Sequence, residues 1–77
     1  MKLKHIKPNM TELSIGSVGM RILFSYSTPV AAMSPAFDGG IRAEEFFSKT
    51  TSKHINEWGG RNFKKVPQIQ IERLVDI

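Results

Sequence analysis

The chain contains no cysteine. Neither a disulfide nor a thiolate-held metal is open to it, and 77 residues lie near the lower limit of what one hydrophobic core stabilises unaided. Histidine is scarce as well. His5 and His54 are far apart and have no ligand-spaced neighbours, which argues against a structural zinc site. Stability is left to close packing of a few aromatics or to association, so a homodimer is the default expectation. Long apolar runs are also missing, and nothing approaches the roughly 20 residues that span a bilayer. The opening Met-Lys-Leu-Lys-His-Ile-Lys-Pro carries charge with no apolar stretch behind it, which is not the build of a secretory signal. The expectation is one small domain over residues 1–77 in a reducing cytoplasm, with no membrane partner and no cofactor.

What the chain does have is concentrated charge. From Lys49 to Lys65 five cations, Lys49, Lys53, Arg61, Lys64 and Lys65, stand against one acid, Glu57. The formal net charge of the chain is +4, so this segment carries all of it and the remainder is balanced. Clustered charge speaks about partners in a way that net charge does not. The same segment holds the single tryptophan, Trp58.

Residues 2 to 7 alternate in polarity, and Pro8-Asn9 interrupts them as a turn. Thr11 to Ile15 alternates again, and the segment from Gly16 to Gly19 reads as a turn bracketed by glycines. Met20 to Tyr26 carries the strongest strand signal, with apolar residues on both faces, which suggests a central strand. Pro29 either breaks that ladder or marks a bulge, and Val30 to Met33 resumes it. Ser34 to Gly40 reads as a loop with Asp38-Gly39 as its reversal. Ile41 to Phe47 fits a third main strand, antiparallel to 20–33, or a helix. Thr51 to Trp58 reads as a short helix, with Thr50, Thr51 and Ser52 as competent caps and Gly59 at the C′ position. Ile55 and Trp58 form its apolar stripe. Gly59-Gly60 reads as a flexible break, and Arg61 to Lys65 as a basic loop. Pro67 suits the first turn of a last helix carrying Ile71, Leu74 and Val75, with a strand over 68–71 as the competing pattern. The expected fold class is α+β: a small antiparallel sheet of about three main strands, covered on one face by one short helix, with a C-terminal helix.

The strings Leu23-Phe-Ser-Tyr-Ser-Thr-Pro-Val-Ala31 and Phe47-Ser-Lys-Thr-Thr-Ser-Lys-His-Ile-Asn-Glu-Trp58, with Val66-Pro67-Gln68 after them, resemble a family of small uncharacterised proteins of phages and bacteria. Gly59-Gly60 stands where an aliphatic residue is expected in that family. The resemblance covers about half of the chain. It implies a phage or mobile-element setting in a bacterial host and no catalytic role. Three antiparallel strands followed by a packed helix are also the plan of the AP2-like DNA-binding domains of integrases, which directs attention to nucleic acid at the level of fold alone.

Ser48, Thr50, Thr51 and Ser52 stand near His54, but hydroxyls at a helix start satisfy free N–H groups, and neither a nucleophile elbow nor an oxyanion loop is present. Glu44 and Glu45 are adjacent and point to opposite faces of a strand, so they do not form a carboxylate pair. No catalytic or metal site is expected. The candidate site is the basic cluster: Lys49, Lys53, Arg61, Lys64 and Lys65 as nucleic-acid contacts, with His54 and Asn56 adding polar contacts and Phe63 stacking or filling core. An acidic host or phage protein is the alternative partner, for an adaptor that docks through its Ser27-Thr28-Pro29 and Ser34-Pro35 segments. Solvated surface is the bland explanation for the charge. Trp58, Phe24, Tyr26, Phe46 and Phe47 read as core or sheet surface.

Overall fold

The fold rests on a computed structural model that describes residues 2–16, 19–35, 39–45 and 47–75. Phe46 and Asp38, each given a place by the sequence, lie outside them. Six strands form one sheet in chain order: β1 (Lys2–Lys7), β2 (Met10–Ile15), β3 (Met20–Ser25), β4 (Thr28–Met33), β5 (Ile41–Ala43) and β6 (Lys64–Val66). The first five make an antiparallel meander, and β6 joins β5 in parallel. Between β5 and β6 the chain crosses through α1 (Lys49–Glu57), and it ends in α2 (Gln68–Val75). The class is α+β as expected, but the sheet has twice the expected strands. A helix set before the last strand also departs from the three-strand-plus-helix plan of AP2-like domains.

Period-2 alternation sorts the side chains onto two faces. Leu13, Ile22, Ala32, Ile41, Ala43 and Val66 pack with Ile71 of α2 on one side. Met10, Leu23, Val30 and Ala31 pack with Ile55 of α1 on the other, with Trp58 against them. The expectation of one covered face is therefore corrected, since each helix takes a face of its own. Pro29 marks a bulge. Leu23 pairs with Ala31 and Phe24 with Pro29, which leaves Val30 as the extra residue. That insertion lets the neighbours Val30 and Ala31 both face α1, which strict alternation forbids.

The alternative readings of two segments resolve. Among the described residues of the 41–47 segment only Ile41–Ala43 is strand, antiparallel to β4, and Glu44-Glu45 bends away. Residues 68–71 are helical: Ile71 is fully buried and Ile69 points outward. Gln68 at the start of α2 donates from Nε2 to the Pro29 carbonyl at 2.7 Å, which fastens the helix to the bulge of β4. Among the described residues no helix is long and apolar enough to cross a membrane.

Candidate nucleic-acid interface

Helix α1 begins two residues earlier than the threonines suggest. Its N-cap is Ser48, in extended backbone, whose Oγ accepts from the Thr51 N–H at 3.1 Å. Lys49 is thus the first helical residue rather than a flanking one. At the other end Gly59 has φ of 97°, and its N–H donates to the Asn56 carbonyl at 3.1 Å while the Gly60 N–H donates to that of Ile55 at 2.8 Å. These two bonds make a Schellman cap. The expected C′ glycine is in place, but Gly60 is buried rather than part of a flexible break. A Cβ there would lie 2.7 Å from Ile55 Cγ2 and 3.0 Å from the Ile55 oxygen.

Trp58 closes the helix and clamps it to the sheet. Its ring is half-buried on the Met10–Leu23–Val30 cluster, its Nε1 donates to Glu12 Oε1 at 2.8 Å, and Phe63 meets it edge-on at a centroid distance of 6.1 Å. Phe63 also lies over Gly40, where a Cβ would sit 2.5 Å from the ring. Phe63 is committed to packing and not free to stack on a ligand.

With the inner stripe of α1 fixed by Thr51, His54 and Ile55, helical periodicity turns the intervening residues to solvent. Lys49, Ser52, Lys53, Asn56 and Glu57, with Arg61 from the segment after the cap, line an open groove of about 460 Å³. Arg42, half-buried on β5, donates to Asn56 Oδ1 at 3.4 Å and to the Gly60 carbonyl at 3.3 Å, so it ties the sheet to this side of the helix. Glu57, the single acid in the groove, is bonded to Lys7 of β1. That hydrogen bond is the main reason its carboxyl titrates below the ordinary range, and the charges of Lys7 and Lys53 add to the effect. The Ser52 hydroxyl and the Asn56 carboxamide among cations, on a helix with no acid in its first turn, suit an anionic ligand.

Residues 1–73 of the sequence match the Family of unknown function (DUF8033). The chain belongs to that family. No curated protein and no solved structure matches the chain.

Of the five cations named by the sequence, Lys49, Lys53 and Arg61 share the groove. Lys64 and Lys65 do not lie in a loop; they open strand β6, and both are exposed. The register pairs Lys65 with Arg42 and Val66 with Ala43. Val66 and Ala43 face α2, so Lys65 shares the α1 face with Arg42 while Lys64 lies on the opposite face with Val66. Four of the five therefore flank α1, and one does not.

His54 is no surface contact. It is buried, its Nδ1 lies 2.9 Å from Ser25 Oγ, and Ser25 Oγ lies 3.0 Å from Thr51 Oγ1. This imidazole–hydroxyl–hydroxyl set, centred on Ser25, satisfies buried polar groups where α1 meets β3. Ser25 is only 2% exposed, so a substrate has no route to its oxygen. Sequence reasoning passed over Ser25, although its place at the end of a strand with alternate residues inward marks it as inward-facing. Arg42 was missed as well, and the Ile-Arg-Ala alternation of β5 was its signal.

Proposed function

We propose that this chain is a small non-enzymatic accessory protein, of the kind phages carry, that binds nucleic acid with the outward face of α1. The observation that carries this is the convergence of Lys49, Lys53 and Arg61 on one groove with Ser52 and Asn56, flanked by Lys65. Lys49 and Lys53 stand near the N-terminal end of the helix, where they oppose its dipole by a few tenths of a kcal/mol. Their position is unfavourable for the helix and favourable for binding phosphate.

Counterion release supplies the test. The logarithm of affinity for a labelled oligonucleotide should fall linearly with the logarithm of salt, with about three to five phosphates neutralised. K53Q with R61Q should flatten that slope, whereas E57Q, which removes the only acid of the groove, should tighten binding. An unchanged slope in the double variant would reject this surface.

A second reading, an adaptor that docks on an acidic host or phage protein, draws on β1. That strand is an outer one of the sheet, rich in lysine, and Leu3 on it is 73% exposed, which suits an acidic segment laid along its edge. A pull-down from host lysate with and without nuclease separates the two, because protein partners that survive nuclease favour the adaptor.

A further inference from the structure

Tyr26 occupies a conformation that a tyrosine ordinarily avoids. Ser25 pairs with Thr28, so Tyr26-Ser27 is a two-residue hairpin turn between β3 and β4. Tyr26 has φ of 61° and is, with Asn9, one of two non-glycine residues with positive φ among those described. A positive φ at the first turn position with none recorded at the second is the pattern of a II′ turn, where glycine is preferred. The conformation is held by the Tyr26 N–H, which donates to the Asn9 carbonyl at 2.7 Å. Strained backbone of this kind persists only where the surrounding structure enforces it, and it clusters at functional sites and ligand clamps.

The side chain is not spent on the core. Tyr26 is 53% exposed, and its one ring contact among the described residues is the tilted His54 imidazole at 6.3 Å. His54 follows Lys53 in α1, and the same flank of the helix meets Lys7 through Glu57. An open aromatic ring thus borders the helix that carries the cations, propped from behind by a buried imidazole.

We propose that Tyr26 is a base-stacking platform, and that the ligand of the α1 surface is single-stranded nucleic acid. This rests on the nucleic-acid reading above and narrows it. A protruding ring needs the open face of an unstacked base, which a duplex withholds and a single strand offers; phosphates then run over the cations of α1. Stacking is tolerant of base identity, so little sequence preference is expected.

The test uses the whole chain and fluorescence anisotropy with a labelled single-stranded oligonucleotide and its duplex. Y26G is the informative variant, because glycine accepts the turn's φ and keeps the fold while removing the ring. Y26G should weaken single-strand binding roughly tenfold, leave duplex binding and the salt slope of the single strand as they were, and keep the thermal midpoint. Y26F should restore single-strand affinity. Equal single-strand affinity in Y26G and wild type would overturn the stacking role while leaving the basic surface standing, as would an equal loss on single strand and duplex. Failure of the wild type to bind either oligonucleotide at low salt would overturn the surface itself and the platform with it.

Discussion

Gly59 and Gly60 sit side by side after the same helix, and each resists a side chain for a different reason. Gly59 has open space around its Cβ position but a φ of 97°. Alanine there forces an L-residue into left-handed backbone, at a cost of about 1 kcal/mol. At Gly60 the obstacle is space, because an added methyl meets Ile55 at both Cγ2 and the backbone oxygen. The Ile55 side chain is buried in the core and β-branched, and its carbonyl is held by the Gly60 N–H itself, so neither yields readily. G60A should therefore be the costlier change, losing about 1–3 kcal/mol by overpacking. Urea unfolding of the two variants measures this, and a larger loss in G59A would mean that the Schellman cap and not the Ile55 contact dominates. Gly59 was legible as a C′ residue from its place after an amphipathic stretch. The tight packing of Gly60 was not, since the atoms that close on it come from the preceding turn and, with Phe63, from beyond it.

At the scale of elements, a run of hydroxyl residues hid the start of α1. Ser48, Thr50, Thr51 and Ser52 are all able to cap, and composition alone does not rank them. Extended backbone at Ser48 and the bond from the Thr51 N–H decide it. S48A should cost about 1 kcal/mol of stability, whereas T50A, on the exposed side of the first turn, should cost little or even gain slightly from helix propensity. Thermal or urea unfolding of both variants checks this, and an equal loss would place the cap elsewhere. Residues 20–33 read as one strand interrupted at Pro29, but they form the hairpin of β3 and β4, whose Tyr26-Ser27 turn carries neither proline nor glycine. Strands β1 and β2 were legible, because each alternates and stops at a proline or a glycine. Strand β6 was not, because three residues give no period and two of its three are exposed lysines. Only the parallel partner β5, more than twenty residues back, makes Lys64–Val66 a strand. The second covered face was hidden for a related reason: the bulge at Val30 breaks the alternation that would have revealed it.

At the scale of the whole molecule, the sheet divides the charge that the sequence joins. Lys64 and Lys65 are adjacent in the chain, yet strand geometry sends them to opposite sides of a layer carrying a helix on each face. A helix with its side chains is about 10–12 Å across, and the Debye length at physiological ionic strength is about 8 Å. A phosphate lying along α1 therefore senses Lys65 through little solvent and Lys64 only across roughly one screening length or more. K65Q should reduce the slope of log affinity against log salt by about 0.7–0.9, the value of one phosphate contact, while K64Q should leave it nearly unchanged. Both lysines are exposed, so neither substitution should disturb the fold. Equal slopes for the two variants, each reduced, would place the ligand around the β6 edge and not along α1. Equal slopes matching the wild type would remove β6 from the interface and confine it to Lys49, Lys53 and Arg61.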